Sequence, residues 1–213
     1  MAADVLLTGF EPFGGDTVNA SWLAVQRVAA EWAGPESLTI AELPVAFGLA
    51  ADRLDALIAE HRPRLVVAVG LAAGRDRVTP ERVAINVDDA RIPDNADATP
   101  IDEPIVADGP AAYFSTLPLK AAVAAVEAAG IPASVSQTAG TFVCNHVFYR
   151  LMDAAARLPK LRAGFVHVPS ASEHNTAEEA SLPVAGIARA LHIIVRTSLD
   201  VRTDVRAAGG AIS

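Results

Sequence analysis

The sequence predicts an α/β protein, an open sheet flanked by helices. Short apolar runs alternate with segments of helical period along all 213 residues, the pattern that builds mixed α/β layers. The run at 65–69 is apolar at every position, as in a strand covered on both faces. The runs at 5–8 and 65–69 pass directly into glycine-bearing loops, and folds of this class hold ligands beyond the carboxyl ends of their strands.

Taken in order, residues 5–8 form a buried strand that ends in a loop at 9–15, marked by Gly9, Pro12, Gly14 and Gly15. Asn19 is placed to cap a helix reaching Trp32, with Trp22, Val25 and Val28 on one face. Residues 38–43 are a second strand. A helix over 47–61 carries Leu49, Leu54, Leu57 and Ile58 at helical spacing and stops at Pro63. The third strand, 65–69, is followed by a loop at 70–74 and a strand at 82–87. Residues 88–110 are rich in Asp and Pro without periodicity, a loop long enough to be functional or mobile. A helix over 119–129 ends at Gly130, and 133–136 is a strand. Gly140 precedes a helix over 141–156, 164–168 is a strand, and 183–199 is a last amphipathic helix. No repeat or second domain interrupts this series, so residues 1–206 read as one domain and 207–213, with Gly209 and Gly210, as a disordered tail.

Composition narrows the function. Acidic residues outnumber basic ones 25 to 17, so the surface offers nucleic acid or an anionic membrane no attraction. The first residues, Met1 to Thr8, lack a basic stretch and predict no signal peptide. No apolar run approaches the ~20 residues that span a bilayer. A single cysteine allows no internal disulfide and no thiolate zinc cluster, which points to a reducing, cytoplasmic setting. No two histidines stand at metal-ligand spacing and no phosphate-binding glycine fingerprint occurs, so neither metal nor cofactor is expected.

Cys144 falls in the first turn of the helix that follows Gly140. Free backbone N–H groups and the helix dipole there favour a thiolate, with a pKa below the ordinary thiol value, and can stabilise an oxyanion. The competing reading is a buried small hydrophobe. His167 ends an apolar strand, where an imidazole can take the thiol proton or simply be satisfied by a carbonyl. His146, two residues beyond Cys144 on the same helix, is the rival base but projects from another face. His61, His174 and His192 read as structural or solvated. Glu81, Asp88, Asp89 and Asp94 are all candidates to orient the histidine. Arg91 can donate to an oxyanion or pair with Asp88 or Asp89. Phe10 and Phe13 suit a flat uncharged ring, or anchor their loop in the core.

Four segments taken together resemble the pyroglutamyl peptidase I family, also called pyrrolidone carboxyl peptidases. They are LTGFEPFGG at 7–15, ERVAINVDDARIPDN at 81–95, GTFVCN at 140–145 and FVHVP at 165–169, in family order across almost the whole chain. The resemblance implies a three-layer α/β/α sandwich around a twisted mixed sheet, and a cysteine exopeptidase acting on pyroglutamyl peptides through a thioester. It implies a triad of Cys144, His167 and Glu81, with Arg91 framing the oxyanion site. Phe10, Phe13 and Phe142 would enclose the pyroglutamyl ring, with Asn19 near the pocket. It also implies a homotetramer. Two positions depart from the family pattern: Leu71 stands where glutamine is common, and Ser170 where a bulky residue often follows. Leu71 keeps open a cysteine amidase or aminopeptidase of altered acyl preference, and a non-catalytic binding protein on the same fold is the alternative from another class.

Overall fold

The computed structural model describes residues 3–174 and 180–210. Its centre is a five-stranded sheet built from β1 (Val5–Phe10), β2 (Leu38–Leu43), β3 (Leu65–Leu71), β4 (Thr79–Pro80) and β7 (Arg162–Val168), in the order β2-β1-β3-β7-β4. All neighbours pair in parallel except β4, a short antiparallel edge on β7. Two small ribbons flank the sheet, β5 (Val83–Ile85) with β6 (Ala112–Phe114), and β8 (Ser170–Ala171) with β9 (Ser181–Leu182). The helices are α1 (Ala20–Ala30), α2 (Leu49–His61), α3 (Leu119–Ala128), α4 (Val143–Arg157) and α5 (Val184–Asp200). Among the described residues none is long and apolar enough to cross a membrane.

Strand alternation sorts the core into two halves. Val5, Leu7, Val67, Val69, Val166 and Val168 face one side and pack with Val28 of α1, Val126 of α3 and Leu191 of α5. Leu6, Val66, Ala68, Ala163 and Phe165 face the other and pack with Leu54 of α2 and Leu151 of α4. The result is the expected three-layer sandwich around a mixed sheet. Covering on both faces explains why β1 and nearly all of β3 and β7 are buried along their length.

The topology also makes a crevice. From β1 the chain crosses to β2 on one side, and from β3 to β7 on the other. Pairing between β1 and β3 stops at Thr8 and Ala68, although both strands run on, to Phe10 and Leu71. Their carboxyl ends therefore part at the point where strand order reverses, which is where open α/β sheets hold ligands.

Several local expectations shift. Residues 133–136 do not form a strand; Ala133 and Ser136 bridge singly to Val78 and Glu81. The strand expected at 82–87 shortens to Val83–Ile85 and lies in a ribbon outside the main sheet, and β4 was not foreseen because two residues carry no periodicity. Helix α1 stops at Ala30 and α2 starts at Leu49. Asn19 caps α1 as expected, its side chain accepting from the Ser21 N–H. Residues 88–110 form neither helix nor strand, with one bridge between Asp88 and Glu103. At the tail, the Gly209 carbonyl accepts from Arg82 Nη2 at 3.0 Å, and residues 211–213 lie outside the described ones.

Candidate active site

A cavity of about 210 Å³ fills the crevice, walled by Phe10 from the end of β1, Leu71 from the end of β3, Phe13, and Phe142, Val143 and Cys144 from the start of α4. Cys144 is the second residue of α4, and the N–H of His146 makes the first bond back into the helix, to Phe142 O. The N–H groups of Val143, Cys144 and Asn145 thus precede intrahelical pairing, and Val143 and Cys144 line the cavity. The sulfur of Cys144 is seated on β3. A Cβ at Gly70 would lie 2.8 Å from it and 2.8 Å from the Phe165 ring, so only glycine admits the thiol here.

Gly70 is the register partner of His167 on β7, and Phe165 two residues earlier shares that face, which places His167 on the α4 side with the thiol. His167 is buried, and its Nδ1 lies 2.7 Å from Oε1 of the fully buried Glu81. A carboxylate can only accept, so Nδ1 carries the proton and Nε2 is left with its lone pair. Of the four acids open from the sequence, this geometry selects Glu81. Asp88 and Asp94 are engaged elsewhere: Asp94 accepts from the N–H of Phe47 at 2.7 Å, and Asp88 pairs with His146.

His146 is thereby ruled out as the base beside the thiol. Its Nδ1 meets Asp88 Oδ2 at 2.7 Å, while its Nε2 accepts from the Gly48 N–H at 3.3 Å, so both ring nitrogens are occupied. Its ring stacks edge-on to Phe47, Phe47 stacks edge-on to Phe142, and Phe142 lies 5.4 Å from Phe13. Phe13 and Phe142 thus form an aromatic wall braced from behind. Phe10 ends β1 at the same cavity, its ring 6.3 Å from Phe165.

Asn19 and Arg91 stand differently to the cavity. Asn19 lines the cavity, but its Oδ1 accepts from the Ser21 N–H and hydroxyl and its Nδ2 donates to Glu11 O, so its amide is committed to capping. Arg91 is exposed, has no hydrogen bond or ion pair among the described residues and does not line the cavity; the pairing with Asp88 or Asp89 does not form. Sequence reasoning missed Arg75. Its Nη1 lies 2.8 Å from Glu81 Oε1 and also meets the Thr79 hydroxyl, and its Nη2 reaches Thr138 O at 3.4 Å. It missed Asn145 as well, whose side chain binds Ile85 N, Ile85 O and Val87 O.

The electrostatics reverse one expectation. Burial pushes the Cys144 thiol up to about 12, the Glu81 charge adds to this, and Arg75 opposes it. Cys144 thus rests as a thiol and not as the thiolate expected from its place at the helix start. Burial also lowers His167 below its ordinary value, against the raising effect of the Glu81 hydrogen bond, so the imidazole is neutral at pH 7.

A glycine-seated cysteine at a helix start, faced by a carboxylate-oriented histidine at a topological switch point, is the arrangement of a cysteine hydrolase. A family model for pyroglutamyl peptidase matches residues 3–201. The chain belongs to this family. The pyrrolidone-carboxylate peptidase of Clavibacter michiganensis is 54% identical over 209 residues, 98% of each chain. That of Bacillus licheniformis is 50% identical over the full length of both. Among solved structures, pyroglutamyl peptidase I from Bacillus amyloliquefaciens superposes with a TM-score of 0.93 at 45% identity, covering 98% of this chain and all of that one. The pyrrolidone carboxyl peptidase of Thermococcus litoralis gives 0.89 at 34% identity, with 97% and 99% covered. Within the family the crevice described above is the candidate active site.

Proposed function

We propose that this peptidase removes an N-terminal pyroglutamyl residue, with Cys144 as nucleophile, His167 as general base and acid, and Glu81 as the group that orients His167. The observation that carries the reading is the hydrogen bond from His167 Nδ1 to the buried Glu81, which leaves Nε2 as the base on the face that holds the thiol.

Because both groups rest neutral, the thiol proton passes to His167 as the sulfur attacks the pyroglutamyl carbonyl, rather than before substrate arrives. The free N–H groups at the start of α4 stabilise the oxyanion. His167 then protonates the departing amine, a thioester forms on Cys144, and water activated by His167 releases pyroglutamate. Arg91, exposed and outside the cavity lining, takes no part in this scheme.

The blocked terminus carries a lactam and no ammonium, so an aromatic wall of Phe13 and Phe142 suits it. Glu11 does not oppose an uncharged ring, because its Oε1 is taken by the Val45 N–H and Asn95 Nδ2. Leucine at position 71 leaves a main-chain donor. The Ala72 N–H points to Val168 O on β7, so alternation turns the Leu71 N–H to the opposite edge, where pairing with β1 has ended. That N–H can bind the lactam carbonyl whatever the side chain. Comparison of pyroglutamyl, prolyl and alanyl fluorogenic amides tests the assignment. Pyroglutamyl turnover should exceed prolyl by several orders of magnitude, since a hydrogen-bonding site rejects an analogue that lacks the group. Equal rates would support the altered-specificity amidase instead.

A thiol nucleophile needs a reducing compartment, which supports a cytoplasmic setting, and we further infer a homotetramer from the family resemblance.

A further inference from the structure

We propose that Arg75 is a positioning residue of the catalytic centre: it fixes the Glu81 carboxylate against His167, places a positive charge beside the Cys144–His167 pair and so sets the pH at which that pair becomes active. The proposal rests on the triad reading above.

Glu81 is fully buried, and a buried acid needs hydrogen-bond partners and an opposite charge beside it. His167 is neutral and supplies one hydrogen bond. Arg75 supplies the charge, at 2.8 Å from the same Oε1 that receives His167, while Oε2 has no partner among the described residues. The arginine is placed by its backbone. Gly74, at φ 82°, turns the chain after β3, and the Arg75 N–H donates to Ala72 O. Its guanidinium then joins three segments: Glu81 just after β4, the Thr79 hydroxyl within β4, and the Thr138 carbonyl in the turn before the helix that carries Cys144. The planar fork reaches these partners from two nitrogens at a fixed spacing, whereas an ammonium offers its donors from a single point.

Glu81 and Arg75 are the charged groups that bear on both His167 and Cys144. On α4, His146 is paired with Asp88, and Asp16 is exposed at the rim of the cavity. The positive charge of Arg75 lowers the proton affinity of both members of the pair. Its removal should therefore raise both, and the acid limb of the rate profile should move to higher pH. An ion pair that served only the fold would change stability and leave that limb in place.

The test measures two profiles across pH 5–9 for wild type, Arg75→Gln and Arg75→Lys, with folding checked by circular dichroism. One is kcat/KM on a pyroglutamyl amide; the other is the rate of Cys144 alkylation by iodoacetamide. In Arg75→Gln both acid limbs should move up by about one pH unit, with Arg75→Lys between it and wild type. A folded Arg75→Gln whose limbs coincide with wild type overturns the proposal, and so does a lysine variant displaced as far as the glutamine one. If the glutamine variant does not fold, a lysine variant with wild-type limbs overturns it. Alkylation needs no substrate. A wild-type chain without pyroglutamyl turnover would thus refute the peptidase reading while the alkylation limbs still decide the role of Arg75.

Discussion

The Glu81 carboxylate resists ionisation of the Cys144 sulfur and the Arg75 guanidinium favours it, and desolvation decides in favour of the thiol. This has a consequence for stability. Between its ordinary value of 9.0 and about 12, Cys144 keeps its proton in the folded chain and loses it in the unfolded one. The unfolded state then binds fewer protons, so stability falls as pH rises through that window. Thermal unfolding followed from pH 8 to 11 should show wild type losing stability more steeply than Cys144→Ala; parallel curves would contradict a half-buried thiol of raised pKa. His167 acts at the other end. Its folded pKa lies below the ordinary 6.5, so the unfolded state takes up more protons and stability declines as pH drops below that value. At this scale the sequence was partly legible. Cys144 and His167 stood at a helix start and a strand end, places that chemistry favours. Glu81 could not be chosen from four acids without the fold, and Arg75 carried no signal, because its partners lie up to 63 positions away.

Helix α4 does more than present the nucleophile. The two residues after Cys144 fasten the helix to two other segments: Asn145 to the backbone of 85–87, and His146 to the Gly48 N–H at the start of α2. Asn145 is fully buried and makes three hydrogen bonds, so Asn145→Ala leaves main-chain groups of the β5 region without partners. The expected cost is about 3 kcal/mol, read from denaturant unfolding, and a loss below about 1 kcal/mol would show that water replaces the amide. Long elements with clear periodicity were foreseen nearly residue by residue. Two-residue strands and the ribbon of β5 and β6 were not, since they exist only through pairing with distant chain. Arg91 shows the limit of motif reasoning: a position within a matching segment does not say which way the side chain points.

For the molecule as a whole, strand order decides where function sits. The reversal between β1 and β3 opens one crevice lined by Cys144 and the aromatic wall, with Gly70 against the sulfur and His167 beside Gly70 on the neighbouring strand, although these residues lie far apart in the chain. The alternation of strands and helices forecast such a crevice, but only the pairing shows that it lies between β1 and β3. The inferred homotetramer belongs to this scale too, and sedimentation of the reduced protein should give about four times the chain mass; a monomer would contradict it. The most direct measurement is release of a fluorophore from a pyroglutamyl amide at neutral pH under reducing conditions, for wild type and Cys144→Ala. Turnover by wild type and a loss of about a thousandfold or more in the variant is the expected result. A folded, reduced wild type without turnover, or a variant of undiminished rate, would contradict the assignment of Cys144 as the nucleophile of a pyroglutamyl peptidase.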